Sequence, residues 1–187
     1  VDKFEENGLK IFGPNRRASI IEGSKAFSKE LMKKYNIPTA SYETFSNYEN
    51  ALSYIETLNP PIVIKADGLA LGKGVLICKT LEEAKENLKE IMVNKKFGQS
   101  GENVVIEEFM TGKEVSILCF CDGKTIVPML SAQDHKRAFD NDEGPNTGGM
   151  GTISPSKYYT EDIAKLAMDT IFKPTIEALA KEDREFV

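Results

Sequence analysis

The order of elements in this sequence predicts an α+β fold, with a small α/β lid set into a larger unit. Three observations carry that prediction. Two capping boxes, Ser46 to Glu49 and Thr80 to Glu83, each open an amphipathic helix. Apolar β-branched runs lie between and after those helices. The stretch holding them, roughly seventy residues, suffices for a separate small layer but not for a complete larger domain.

Taken in order, residues 16–35 predict a first helix, with Ile20, Phe27 and Leu31 sharing one face. Asn36 and Pro38 end it, and residues 40–45 read as extended. The first capping box starts a helix whose Ala51, Leu52, Ile55 and Leu58 form an apolar stripe, and Asn59-Pro60-Pro61 stops it. The second starts a helix through residue 93, buried along Leu81, Ala84, Leu88 and Ile91. Strands are predicted over 61–66, 75–79, 103–109 and 114–121, and Asp122-Gly123 marks a tight hairpin into 124–131. Residues 97–102 read as a loop, and residues 133–158 as one long loop. The expected organisation is residues 1–47 as a linker and the first part of the base, 48–114 as the lid, and 115–187 as the rest of the larger subdomain, truncated at its C-terminal end. The chain starts at Val1 without an initiator Met and stops at Phe186-Val187, which resemble the first residues of another strand. A piece of a longer polypeptide is the expectation.

Composition excludes several classes. With 187 residues, 41% of them hydrophobic and 9% aromatic, the chain can bury a core. Net charge is −5 and acids and bases are mixed, which argues against wholesale binding to nucleic acid or to a membrane surface. No apolar run reaches bilayer-spanning length, and no signal peptide is visible. Cys78, Cys119 and Cys121 offer no CxxC spacing and leave one thiol over in any disulfide scheme. Small buried thiols of that kind point to a reducing, cytoplasmic compartment.

The segment IVIKADGLALGKGV, residues 62–75, is the most informative. An apolar strand ends in Lys65, then Gly68, Gly72 and Gly74 give the backbone freedom to turn N–H groups toward an anion, with Lys73 beside them. A polyphosphate suits that arrangement best. The spacing is one residue short of a P-loop and Gly74 replaces the metal-binding hydroxyl, so this is not a Walker site, and the dinucleotide-binding glycine fingerprint is absent. A glycine-rich hairpin with solvated lysines remains the plainer alternative.

Two further constellations accompany it. In VVIEEFMTGKEVS, residues 104–116, Glu107, Glu108, Phe109 and Met110 sit where strand gives way to turn, so backbone C=O and N–H groups can pair with a purine edge. Glu114 is the candidate for a ribose diol, because a carboxylate accepts two hydrogen bonds. Downstream, Asp134, Lys136 and Arg137 precede a stretch with four glycines in eight positions, including Asn146, Thr147, Gly148 and Gly149. Close-approaching amides, two cations and a carboxylate make a cradle for a phosphorylated or amino-acid substrate. His135, the single histidine, has no Ser or Cys nucleophile partner and is not assigned general-base work. No His, Cys and Asp cluster has zinc spacing.

The segments EGSKAFSK, IPTASYETF, IVIKADGLALGKGV, VVIEEFMTGKEVS, SAQDHKR and GPNTGGMGTISP, in this order, resemble the ATP-grasp region of the phosphoribosylamine–glycine ligases over nearly the whole chain. That resemblance implies two α+β subdomains clasping ATP. It assigns Lys25 and Lys65 to phosphate contacts, Gly68 through Gly74 to a mobile loop over the β- and γ-phosphates, Glu107 through Met110 to the adenine hinge and Glu114 to the ribose. It implies that glycine is phosphorylated by ATP and that 5-phosphoribosylamine attacks the glycyl phosphate, with Lys65, Asp134, Lys136 and Arg137 at the reacting groups. Asp134 to Arg137 and Asn146 to Gly149 would line the glycine and ribose-phosphate sites. Magnesium or manganese is the implied cofactor, with its ligands expected beyond Val187, so the isolated piece is expected to be nearly inactive. The implied partners are small molecules only, and the parent protein a monomer or weak dimer. Another ATP-grasp carboxylate–amine ligase, or a non-catalytic nucleotide-binding module, are the readings that stay open beside it.

Overall fold

The computed structural model describes residues 1–70 and 73–187, except for the side chains of Asp142, Pro145 and Asn146. Gly72 and the Asn146 side chain, both candidates from the sequence, therefore lie outside what is described. The chain forms two compact units, Val1–Met110 and Thr111–Val187.

The first unit opens with a short helix α1 (Asp2–Glu6), which buries nothing. Where one helix is predicted over 16–35 there are two, α2 (Ile20–Gly23) and α3 (Lys25–Lys34). The break falls at Ser24, extended at φ −137° and ψ 116°, whose hydroxyl accepts from the Phe27 N–H at 3.0 Å. A serine gains more as a cap than inside a helix, and this one satisfies an otherwise orphaned donor. After β1 (Tyr42–Phe45) comes α4 (Tyr48–Ile55), capped by Asn47 rather than by Ser46: the Asn47 side chain accepts from Asn50 N at 2.9 Å. Strands β2 (Ile62–Ala66) and β3 (Val75–Cys78) follow. Helix α5 (Leu81–Met92) starts at the predicted Thr80, which accepts from Glu83 N at 3.1 Å. A short 3₁₀ turn, Gly98–Gly101, leads into β4 (Val104–Glu108).

These strands make one antiparallel sheet in the order β1-β4-β2-β3. Alternation along the strands gives its two faces different work. Ile62, Ile64 and Ala66 with Val104 and Ile106 pack against Ala51 and Ile55 of α4 and Ala84, Leu88 and Ile91 of α5, closing a dry core. Lys65 and Glu107 belong to the opposite face, and the register Val63↔Glu107 and Lys65↔Val105 makes them diagonal neighbours across β2 and β4.

The second unit contains three hairpin or helical pieces. Strands β5 (Cys119–Cys121) and β6 (Ile126–Pro128) are shorter than the runs predicted over 114–121 and 124–131. Pairing resumes at the Ser116↔Ala132 bridge, but the register slips by one residue between it and Cys119↔Pro128, which interrupts a continuous strand. The turn between β5 and β6 is held by the Asp122 carboxylate, which accepts from Thr125 N at 2.6 Å and Lys124 N at 3.0 Å. Those two amides, Thr125 first, hold its pKa below the usual carboxylate range. Gly123 sits there at φ +87°, where other residues are strained.

Residues 133–158 are not the open loop predicted. They contain a hairpin of β7 (Gln133–Phe139) and β8 (Glu143–Ile153), irregular between His135 and Arg137 and again before Phe139. Its glycines hid it, because they lower strand propensity while permitting the bends that this register needs. A helical stretch that the sequence reading omits closes the unit: α6 (Glu161–Ala167), a wide π turn (Met168–Phe172) and α7 (Lys173–Lys181). Pro174 has no N–H to offer Thr170, and a π turn absorbs that missing bond.

Cys78, Cys119 and Cys121 are all free thiols. No described helix is long and apolar enough to cross a membrane. Leu88 has no exposed surface, whereas Leu118 is 67% exposed. In urea unfolding, Leu88→Ala is expected to cost about 2–5 kcal/mol, and Leu118→Ala less than about 0.5 kcal/mol.

Candidate functional site

The site in the first unit is built where β2 ends against the start of α3. Asp67, one residue past β2, directs its carboxylate to the helix N-terminus, accepting from Ala26 N at 2.7 Å and from the Ser24 hydroxyl at 3.0 Å. Its carbonyl accepts from Lys25 N at 3.2 Å. An acidic group on the positive end of a helix is stabilised there, so the end of β2 and the helix are locked together. Lys25, the first residue of α3, is thereby carried over the following loop, where its ammonium donates to the Gly68 carbonyl at 2.7 Å and the Asp67 carbonyl at 3.4 Å. Burial lowers the Lys25 pKa, Lys65 lowers it further, and Asp67 opposes the change.

Lys65 and Glu107 meet on the open face of the sheet. The Lys65 ammonium lies 2.9 Å from the Glu107 carboxylate. A second ammonium, Lys29, reaches the same carboxylate at 3.1 Å. Lys29 stands one helical turn beyond Lys25 on α3, and it also donates to Thr39 Oγ1 at 2.7 Å and to the Ala40 carbonyl at 3.2 Å. It lies 5.3 Å from the centre of the Tyr42 ring. Lys29 is a cavity-lining residue that the sequence reading missed. The signal was present as the i, i+4 spacing of Lys25 and Lys29, which puts both on one helix face.

Lys25, Lys29, Lys65 and Glu107 line a cavity of about 650 Å³, with Glu22, Leu69, Val75 and Met110 on its wall. Three ammonium groups against two carboxylates leave it positively charged, and its apolar residues offer a surface for a flat ring. Both oxygens of Glu107 face ammonium groups, Oε1 at 2.9 Å from Lys65 and Oε2 at 3.1 Å from Lys29.

The glycine loop behaves differently from a simple amide cradle. Gly68 donates its N–H to the Ser100 carbonyl at 3.3 Å, and Lys73 N donates to the Ala70 carbonyl at 3.0 Å. A Cβ at Gly68 would come within 2.8 Å of the Ser100 Cβ, and one at Gly74 within 2.7 Å of the Ala70 Cβ. Both glycines are therefore required by close packing, which the sequence argument for anion-facing amides did not anticipate. The Lys73 side chain is exposed.

At the hinge, Glu108 N donates to the Ser41 carbonyl at 3.0 Å, and the Glu108 carboxylate accepts from Ser41 N at 2.8 Å. Phe109 and Met110 are 38% and 67% exposed, leaving the chain edge there open to a ligand. Glu107, Glu108 and Phe109 also border a smaller cavity of about 270 Å³ beside Tyr54 and Leu58.

The remaining candidates fall in the second unit. Glu114 pairs with Lys136, which also lies 3.8 Å from an Asp134 oxygen. The Glu114 hydrogen bond raises the Lys136 pKa. Thr147 Oγ1 donates to the Lys136 carbonyl at 2.9 Å and accepts from Gly149 N at 3.1 Å. Asp134 lies close to Gly149, whose φ of +127° would strain any side chain and whose Cβ position would fall 3.1 Å from that carboxylate. Arg137 is turned to the Gly144 carbonyl at 2.7 Å, and Gly148 has open space around it. The hairpin thus gathers Asp134, Lys136, Thr147 and Gly149 with Glu114. Among the described residues, no group of three or more His, Cys, Asp or Glu side chains is placed to hold a metal ion.

A family model described as phosphoribosylglycinamide synthetase, ATP-grasp (A) domain, matches residues 23–187. Phosphoribosylamine–glycine ligase of Halalkalibacterium halodurans is 52% identical over 186 residues, covering 100% of this chain and 44% of that protein. The ligase of the same name from Streptococcus pneumoniae is 51% identical over 187 residues, with the same shares. Among solved structures, phosphoribosylamine–glycine ligase from Thermotoga maritima has a TM-score of 0.86 at 38% identity, covering 94% of this chain and 44% of that one. The biotin carboxylase domain of Hydrogenobacter thermophilus 2-oxoglutarate carboxylase, solved with MgADP, ADP and bicarbonate, has a TM-score of 0.74 at 22% identity, covering 95% of this chain and 38% of that one. That last likeness is one of fold. The chain spans less than half the length of the curated relatives it matches.

Asp67→Ala removes the acceptor for Ser24 and Ala26 and should destabilise the first unit by about 1–2 kcal/mol. Asp67→Asn, which keeps an acceptor oxygen, should lose less than half of that in the same chemical-unfolding measurement.

Proposed function

Since this chain belongs to the phosphoribosylglycinamide synthetase ATP-grasp family and has the ATP-grasp fold, we propose that it is the nucleotide-binding part of an ATP-dependent ligase joining glycine to 5-phosphoribosylamine in purine biosynthesis. The observation that carries the proposal is the convergence of Lys25, Lys65 and Glu107 on one positively charged cavity. Lys25 and Lys65 hold the phosphate chain. Glu107, Glu108, Phe109 and Met110 receive the adenine, and Glu114 receives the ribose. The loop of Gly68, Gly72, Lys73 and Gly74 covers the phosphates.

The chemistry explains why such a binding site is needed. A carboxylate is a poor acyl donor. In the proposed reaction a glycine carboxylate oxygen attacks the γ-phosphorus of ATP, the bond to the bridging oxygen breaks, and ADP leaves. The amine nitrogen of 5-phosphoribosylamine then attacks the glycyl carbon. The carbon–oxygen bond to phosphate breaks, the nitrogen loses a proton, and glycinamide ribonucleotide, ADP and phosphate result. The protein's part is to hold reactants in line and to offset phosphate charge. Asp134 suits the glycine ammonium, while Lys136, Arg137 and the amides of Asn146, Thr147, Gly148 and Gly149 suit phosphate oxygens. Magnesium or manganese accompanies the nucleotide in this proposal, with no described residue assigned to it. A cytoplasmic setting, a monomer or weak dimer, and small-molecule partners alone complete the proposal.

The test uses the full-length protein and follows ADP release with glycine and 5-phosphoribosylamine both present. Omitting either substrate should abolish steady turnover, and ATP hydrolysis independent of both would contradict the ligase. Lys65→Ala should weaken ATP binding by roughly tenfold or more, the loss of one charge-assisted hydrogen bond, with a smaller change in urea stability because Lys29 stays paired with Glu107. Equal loss of both would return Lys65 to a scaffold role.

A further inference from the structure

Lys29 is buried at the wall of the cavity where, in the proposed function, a nucleotide phosphate lies against Lys25 and Lys65. Its ammonium is spoken for by Thr39, Ala40 and Glu107. Glu107 is 5% exposed and stands between two cations, Lys29 at 3.1 Å and Lys65 at 2.9 Å. A carboxylate with a single ammonium partner in so dry a setting would neutralise it. With two partners its charge is divided, and Lys65 keeps attraction for another anion.

We propose that Lys29 is a positioning residue that shares the Glu107 carboxylate, so that Lys65 retains the positive charge with which the cavity grips a polyphosphate. Glu22 also lines this cavity but is exposed, so water screens it. Three of the charged side chains lining the cavity are cationic, and loss of Lys29 removes one of them. Glu107 is then left to Lys65 alone, and the Lys65–Glu107 pair is closed on itself. This inference rests on the proposal that the cavity binds ATP.

The consequence is a dependence on phosphate number, which a purely structural role for Lys29 would not give. In the full-length protein, ATP, ADP and AMP are titrated calorimetrically into wild type, Lys29→Met, Lys29→Arg and the double variant Lys29→Met/Glu107→Gln. Lys29→Met should weaken ATP at least roughly tenfold and AMP less than about threefold, with ADP between them. Lys29→Arg, which keeps the cation, should hold the ATP-to-AMP affinity ratio near wild type. The double variant should restore that ratio to within about threefold of wild type, because Lys65 is released from its carboxylate. Any effect of Glu107→Gln on the adenine end is common to ATP and AMP and cancels in the ratio. Should Lys29→Met fail to fold, the double variant carries the test, since removing both partners leaves no unpaired buried charge. Equal weakening of ATP and AMP in Lys29→Met, or a ratio that stays low in the double variant, would overturn the role given to Lys29. Wild type that binds no ATP would instead overturn the nucleotide site itself.

Discussion

A single carboxylate held between two ammonium groups is the constraint on which the first unit's open face depends. Glu107 is almost without solvent, and a charge buried that deeply is tolerable only when paired and hydrogen-bonded. Lys65 comes from the neighbouring strand and Lys29 from helix α3, so the triad joins three elements that are distant in sequence. Its cost is met by the same dry helix-covered core that sets the strand register. Shifting that register by one residue would send Lys65 and Glu107 into the core and Ile64 and Ile106 onto the open face.

Asp67 extends the same logic to the edge of the cavity. By bonding the start of α3 it sets the distance between the helix lysines and the strand lysine. The short step from β2 to the loop leaves little freedom, and the close approach of Gly68 to Ser100 and of Gly74 to Ala70 removes more. The result is a cavity whose charged groups are positioned before any ligand arrives, which lowers the ordering cost of binding.

Much of the first unit was legible because its signals are local. Capping residues, period-2 strands and proline stops each act within a few residues, and Thr80, Ile62 to Ala66 and the stripe of α5 are found where they were expected. Ser24 was read through because a serine inside a helical pattern looks neutral until the carboxylate of Asp67, 43 positions away, is brought to it. Lys29 was overlooked for a similar reason: its burial follows from Glu107, a non-local partner. The second unit was less legible. The hairpin of β7 and β8 is rich in glycine and polar residues, and the helical stretch from Glu161 to Lys181 leaves Ile163, Leu166 and Ile171 partly exposed. Neither gives the clean periodicity from which sequence arguments draw their force.

The central claim is that the cavity between β2, β4 and α3 receives a nucleoside triphosphate. The most direct measurement is a crystal structure of the full-length protein with a non-hydrolysable ATP analogue and magnesium. The account predicts phosphate oxygens within hydrogen-bonding distance of the Lys25 and Lys65 ammonium groups, with Lys29 still on Glu107. A nucleotide seated elsewhere, with side chains filling this cavity, would contradict it.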